Sequence, residues 1–97
     1  MIPTPRPRAP WLVSYVEALP GFRLRVRFFD GLEGEVDMKT FLKDKSIRET
    51  VFEPLRDKKL FEMAYLELGA VTWLNGTDLA PDAMHDEIKK HGKWVQT

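Results

Sequence analysis

The segment VTWLNGTDLAP, residues 71–81, concentrates groups that could bind a ligand or take part in chemistry. It contains the indole of Trp73, the carboxamide of Asn75, the hydroxyl of Thr77 and the carboxylate of Asp78. Such groups can orient a polar ligand through hydrogen bonds. They also close turns and begin helices by bonding to nearby backbone. The segment is therefore either a binding site or a structural corner of the fold.

Metal binding would require imidazole and carboxylate groups that converge, and the best local set is Asp82, His85 and Asp86. His85 and His91 are six positions apart, so they lie on different faces of a helix. This pattern is more typical of a solvated helix surface than of a ligand set. We predict no metal site and no cofactor.

Hydrolytic chemistry would need a hydroxyl, an imidazole and a carboxylate, and the chain offers Ser14, Thr77, His85 and Asp78. No nucleophile-elbow pattern surrounds either hydroxyl. An enzyme would require Asp78 and His85 to converge on one pocket, which the spacing does not indicate. We predict no catalytic residue and a protein that is not an enzyme.

Arginines at two places could bind nucleic acid. Arg6 and Arg8 belong to a proline-rich arm, residues 1–10, which favours polyproline II or a loosely docked terminus. Three more alternate with apolar residues along FRLRVRF, where they could follow phosphates: Arg23, Arg25 and Arg27. A nucleic-acid-associated regulator that uses these arginines is the alternative function.

The segment after FRLRVRF argues against that alternative. In LEGEVDM, carboxylates alternate with apolar residues, as in a half-buried strand. A three-residue loop, 29–31, with Gly31 in the left-handed region brings the two apolar faces together. The resulting register pairs Arg27 with Glu33, Arg25 with Glu35 and Arg23 with Asp37. Such cross-strand pairs lower the net charge of the arginine face towards zero.

The other patterns predict short elements around this hairpin. WLVSYVEA is a first strand and KTFLK a short helix. Ser46 and Glu49 have the form of a capping box, and Asp57 can cap one more short helix. A second hairpin is predicted to turn at Gly69-Ala70, with Leu68 opposite Val71 and Leu66 opposite Trp73.

The last helix, PDAMHDEIKKHG, is predicted to begin at Pro81 and to stop at Gly92. Its apolar stripe is narrow, so one side of the helix is expected to stay exposed to solvent. In the corner before it, we expect Trp73 to anchor the strand in the core and Asn75-Gly76 to turn the chain. Asp78 is expected to accept local backbone hydrogen bonds, and Leu79 to be buried.

Together these elements predict an α+β fold: a mostly antiparallel sheet of two hairpins plus an N-terminal strand, with short helices and a C-terminal helix. The single domain is expected to span residues 11–92, followed by a tail, residues 93–97. Fifteen basic residues balance fifteen acidic ones, so no overall positive field attracts nucleic acid. The chain has no cysteine, which excludes disulfides and thiolate ligands. Without a signal-peptide pattern or a membrane span, a cytoplasmic location is expected.

Two segments together, VRFFDGLEGEVDM and VTWLNGTDLAPD, resemble the small bacterial family catalogued as domain of unknown function 2442. The resemblance runs from about Trp11 to about Ile88. The patterned positions, which we interpret as structural, are Asp30, Gly31, Asp37, Trp73, Asn75, Gly76, Asp78, Leu79, Pro81 and Asp82. The chain departs from the family pattern early in the last helix, where Ala83-Met84 replaces a common Leu-Tyr pair.

The resemblance implies a small cytoplasmic α+β protein without an established activity, often encoded beside a second short gene in arrangements like toxin–antitoxin pairs. We therefore expect a non-enzymatic protein-interaction module, one member of such a pair. It would bind a protein partner through an exposed sheet edge or the wet side of the last helix. A homodimer is a second arrangement that the sequence leaves open.

Overall fold

The computed structural model describes residues 9–96 of the 97-residue chain. Arg6 and Arg8 of the predicted arm lie outside the described residues. The main sheet has four strands, which are β1 (Val13–Leu19), β2 (Arg23–Phe28), β3 (Glu33–Asp37) and β6 (Lys93–Val95). Their order is β1-β2-β3-β6, with β1, β2 and β3 antiparallel and β6 parallel to β3. The α+β class and the antiparallel core of the sheet are as predicted.

The register of β2 with β3 is the one that charge pairing predicts. Arg27 lies opposite Glu33, Arg25 opposite Glu35 and Arg23 opposite Asp37. In this register the apolar residues of both strands point into the core. A slip of one residue would place the carboxylates there instead, which is why the pattern selects this register. Gly31 has φ +91°, the left-handed conformation that the three-residue loop requires.

Short helical elements follow β3. They are α1 (Lys39–Lys43), the 3₁₀ turns Lys45–Ile47 and Glu53–Arg56, and α2 (Lys58–Phe61). Asp57 caps α2 as predicted, its side chain accepting the N–H of Lys59. The predicted capping box is wrong. Asp44 caps the first 3₁₀ turn by accepting the N–H of Ser46, and Glu49 has φ +64°, which no helix accommodates.

The second hairpin forms a separate two-stranded sheet of β4 (Tyr65–Glu67) and β5 (Ala70–Thr72). The predicted register is wrong, because the turn lies one residue earlier, at Leu68-Gly69. Leu66 therefore lies opposite Val71. Leu68 and Gly69 have φ +51° and +80°, so the turn is of type I′.

Helix α3 (Pro81–His91) begins at Pro81 and stops at Gly92, as predicted, and Gly92 forms a left-handed C-cap with φ +78°. The chain then enters β6, so residues 93–95, predicted to be a tail, are part of the sheet. None of the described helices is long and apolar enough to span a membrane. The largest fully buried side chains come from every layer of the fold: Trp73, Phe28, Phe61, Leu24, Met38, Leu55, Met84 and Ile88.

Candidate functional site

Trp73 holds the corner of residues 71–81 in the core. Its side chain has no exposed surface, and its indole N–H donates to the carbonyl of Phe61 over 3.0 Å. The rings of Trp73 and Phe61 also pack together, with centroids 5.9 Å apart. The indole therefore joins β5 to the end of α2, and the prediction of a core anchor is confirmed.

The turn after Trp73 holds a distant segment through one carbonyl oxygen. Asn75 Nδ2 and Thr77 Oγ1 each donate to the carbonyl of Val51 over 2.8 Å. Asn75 Oδ1 accepts the N–H of Thr77, and Gly76 takes φ +89° between them. We call the two bonds to Val51 the Val51 clamp. Val51 lies in the irregular segment between α1 and α2, more than twenty residues before Asn75 in the sequence. The clamp therefore holds this segment against the corner.

The exit from the corner agrees with the sequence except at Asp78. Leu79 is buried, and its N–H donates to the carbonyl of Val71. Pro81 is the first residue of α3, and Asp82 lies in the first turn of the helix. The backbone of Asp78 forms a bridge to that of Thr72. Among residues 9–96, however, no N–H or hydroxyl donates to the Asp78 carboxylate, so the predicted local bonds are absent. The backbone of Asp78 pairs with Thr72 in place of forming an Asx turn, and the side chain is exposed to solvent.

Unlike Asp78, the three other aspartates of the family pattern accept hydrogen bonds from backbone N–H groups. Asp82 Oδ1 accepts the N–H of Ala83 over 2.9 Å. Asp30 Oδ1 accepts the N–H of Leu32 over 3.0 Å, and Asp37 Oδ1 accepts the N–H of Lys39 at the start of α1, also over 3.0 Å. Asp30 Oδ2 in addition lies 2.7 Å from Nε2 of His85 on α3. The Leu32 N–H, and then His85, lower the pKa of Asp30 below its ordinary value.

The groups considered for hydrolysis are dispersed over several structural contacts. Ser14 Oγ donates to the carbonyl of Arg27 over 3.2 Å, and Thr77 belongs to the Val51 clamp. His85 pairs with Asp30 and packs its ring against Phe28, with centroids 4.8 Å apart. No described hydrogen bond joins His85 to Asp78. Within the described part of the chain, no group of three or more His, Asp or Glu side chains could hold a metal ion.

The arginine face of the sheet is balanced by acidic groups. Arg27 pairs with Glu33, as the register predicts, but Arg23 pairs diagonally with Glu35 over 3.2 Å. Arg25 lies opposite Glu35 on one side and Glu17 of β1 on the other. With Asp37, which lies opposite Arg23, four carboxylates share this face with the three arginines.

A different end of the molecule gathers exposed apolar residues around Leu12. The carbonyl of Leu12 accepts the N–H of Phe29, and a Cβ built on Gly69 would lie 2.8 Å from Leu12 Cβ. The β2–β3 turn and the β4–β5 turn thus meet at this residue. Its neighbour Trp11 is 45% exposed, Phe29 is 44% exposed and Leu68 is 91% exposed. We call Trp11, Phe29 and Leu68 the apolar end.

Reasoning from the sequence missed several of these residues. The roles of Thr77 and Val51 depend on contacts between distant segments, and no local pattern marks them. The pairing of His85 with Asp30 likewise joins residues far apart in the chain. The apolar end was missed because the predicted register placed Leu68 opposite Val71 inside the hairpin.

Comparisons with known proteins agree with the motifs described above. No curated protein and no solved structure matches the chain. A family model described as "Protein of unknown function (DUF2442)" matches residues 13–90, which include both turns, the corner and nearly all of α3. The chain belongs to this family of proteins of unknown function.

Proposed function

We propose that this protein is a non-enzymatic interaction module that binds a protein partner through the apolar end. The proposal includes the cytoplasmic two-gene arrangement that the family resemblance suggests, in which the partner is encoded by the neighbouring gene. The partner surface would be an apolar groove that receives Leu68, with Trp11 and Phe29 beside it. Aromatic and aliphatic anchors that enter a groove supply most of the affinity in many protein interfaces.

The conformation of Leu68 is the observation that carries the proposal. Its φ of +51° is unfavourable for a residue with a branched side chain, and costs about 1 kcal/mol or more. The side chain is 91% exposed, so packing against the described residues does little to offset this cost. Asparagine or glycine is the usual choice at this position of a type I′ turn. Burial of the side chain by a partner would offset the cost of this strained and exposed position, and so would explain why leucine occupies it.

Nucleic-acid binding by the arginine face is less well supported. Glu33 and Glu35 engage Arg27 and Arg23, so a bound phosphate would have to displace both carboxylates. A net positive stripe would bind phosphates without that cost. The regulator hypothesis therefore rests on Arg25 together with Arg6 and Arg8, which lie outside the described residues.

The test compares three tagged forms of the protein expressed from the native locus: wild type, Leu68→Asn and Leu74→Asn. Leu74 is the matched control because it is also an exposed leucine, at 64%, but follows Trp73 at the corner. We expect the neighbouring gene product to co-purify with wild type and with L74N and to be lost with L68N. Burial of one leucine is worth about 1.5–3 kcal/mol, which is roughly a tenfold to hundredfold change in affinity.

Two results would contradict the proposal. Equal capture by wild type and L68N would show that the leucine is not an anchor. Loss of capture with L74N alone would move the interface to the corner of residues 71–81. Self-association that disappears with L68N would replace the partner by a second copy of the chain, which size-exclusion chromatography with light scattering detects directly.

A further inference from the structure

A cleft of about 400 Å³ lies beside α1, away from the residues that the proposed function uses. Its walls carry a third of the fifteen cationic side chains of a chain whose formal net charge is zero. No aspartate or glutamate lines it. The cationic side chains are Lys39, Lys43, Lys45, Arg48 and Arg56.

Four of these cations have no carboxylate partner. Within the described residues, Lys39, Lys43, Lys45 and Arg48 take part in no ion pair, whereas Arg23 and Arg27 on the sheet are both paired. The nearest acidic residue in the chain, Asp44, accepts the N–H of Ser46 over 2.8 Å and caps the 3₁₀ turn. The charge of Arg56 helps to lower the pKa of Asp44, after the N–H and side chain of Ser46, so this carboxylate offsets part of the charge of Arg56. The cleft is therefore a local region of net positive charge.

Arg56 fixes the shape of the cleft. Its Nε donates to the carbonyl of Leu42 over 2.5 Å and its Nη2 to that of Asp44 over 2.9 Å. These bonds hold the end of α1 against the second 3₁₀ turn, so the guanidinium is positioned before any ligand arrives. The cleft also has apolar surface, which comes mainly from Phe22, since Leu42 beneath it is buried. A ligand that fits it needs negative charges spaced along an apolar body.

We propose that this cleft binds an acidic peptide segment, in which carboxylates face the lysines and Arg48 while an apolar side chain packs against Phe22. This inference rests on the proposed function, because the segment would belong to the protein partner. Lysines suit separate carboxylates, since each is a compact point charge on a flexible stem. The arrangement fits nucleic acid less well. Strand binding uses exposed aromatic faces for base stacking, and Phe22 packs its ring against Phe61 at 5.3 Å.

The experiment measures binding of a short fluorescein-labelled peptide of alternating glutamate and leucine by fluorescence anisotropy. Wild type is expected to bind it at low salt and to release it as salt is raised, because exposed ion pairs are screened. The double variant Lys43→Glu/Arg48→Glu should bind about tenfold or more weakly, since two attractions become repulsions. The matched variant Lys59→Glu/Lys89→Glu makes the same charge change elsewhere and should stay within about twofold of wild type. A glutamine-for-glutamate peptide should not bind.

Three outcomes would overturn the inference. The first is equal weakening of peptide binding in the two double variants, which would mean that only net charge matters. The second is tighter binding of a single-stranded oligonucleotide than of the peptide at the same salt. The third is capture of the partner protein by K43E/R48E at the wild-type level. That third result leaves the proposed function intact if capture still depends on Leu68. Loss of any Leu68-dependent capture, with the peptide still bound at the cleft, would instead contradict the proposed function alone.

Discussion

His85 Nε2 lies 2.7 Å from Asp30 Oδ2, and this contact joins α3 to the β2–β3 turn across the chain. The ring of His85 also packs edge-on against Phe28, which ends β2. The other oxygen of Asp30 accepts the N–H of Leu32. Both oxygens of this aspartate are thus used within the fold, which explains its place in the Asp-Gly pattern without any ligand.

The first prediction concerns acid stability and the variant Asp30→Asn. The pKa of Asp30 is lowered in the folded protein from its ordinary value of 3.8, mainly by the Leu32 N–H and then by His85. The ionised carboxylate therefore stabilises the fold above pH 3.8, and this contribution is lost as pH falls through the lowered folded pKa. In urea titrations, wild type should be more stable than D30N near about pH 6, and the difference should shrink towards about pH 2.

Asp78→Asn is the control for this titration. The carboxylate of Asp78 accepts no hydrogen bond from the described residues, so the variant should match wild type at both pH values. A wild-type advantage over D30N that is equal at the two pH values would contradict the role assigned to the charge of Asp30.

The second prediction concerns the Val51 clamp. Thr77→Val keeps the shape of the side chain but removes the donor to the Val51 carbonyl, so it should lower the free energy of unfolding by about 0.5–1.5 kcal/mol. Asn75→Ala removes the second donor and the acceptor of the Thr77 N–H, and should cost at least as much. Denaturant unfolding of the single and double variants measures these changes. The two effects should not add, because both donors share one acceptor.

Hydrogen exchange shows whether the clamp fixes the segment between α1 and α2. In T77V the amides of Glu53 and Leu55, which close turns next to Val51, should exchange faster than in wild type. Exchange of the Val26 amide, in the central strand β2, should change only as much as the lower free energy of global unfolding requires. Unaltered exchange at Glu53 and Leu55 would mean that the clamp does not hold this segment.

The third prediction concerns the approach of α3 to the sheet at Gly34. A Cβ at this position would lie 2.5 Å from Ile88 Cγ2 and 2.8 Å from the carbonyl oxygen of Gly92. Gly34→Ala should therefore destabilise the protein by about 1–3 kcal/mol through overpacking. In an Ile88→Ala background the same substitution should cost less, because only the Gly92 contact remains. A cost that is the same in both backgrounds would contradict the packing account.

The accuracy of prediction from sequence follows the physical strength of each pattern. The β2–β3 register could be predicted because a slip would bury carboxylates, which is costly. The β4–β5 register could not, because its strands are three residues long and Leu68 occupies a turn position that usually belongs to asparagine or glycine. The strand β6 was missed because its partner, β3, lies far away in the chain and a run of three residues carries little periodicity.

The corner illustrates the same distinction. Trp73, Gly76, Leu79 and Pro81 have the roles expected of their side chains, since those roles depend on local geometry and burial. Asp78 does not, because an isolated backbone bridge to Thr72 replaces the expected turn. Contacts between distant segments, such as Thr77 with Val51, leave no local pattern from which they could be predicted.

The fourth prediction concerns the stability of Leu68→Asn. Asparagine tolerates the left-handed conformation better than leucine, so the substitution should stabilise the hairpin by about 1 kcal/mol. For a domain of this size the thermal midpoint should rise by about 4–8 °C. Differential scanning calorimetry measures the shift, and L74N should show no comparable gain because Leu74 does not have a positive φ.

The most direct measurement of the central claim is isothermal titration of the co-purified partner into wild type and into Leu68→Asn, with both proteins folded at the working temperature. We predict that L68N, although the more stable protein, binds the partner at least about tenfold more weakly than wild type. Wild-type affinity in L68N would contradict the claim that Leu68 is held in a strained, exposed position to bind a partner.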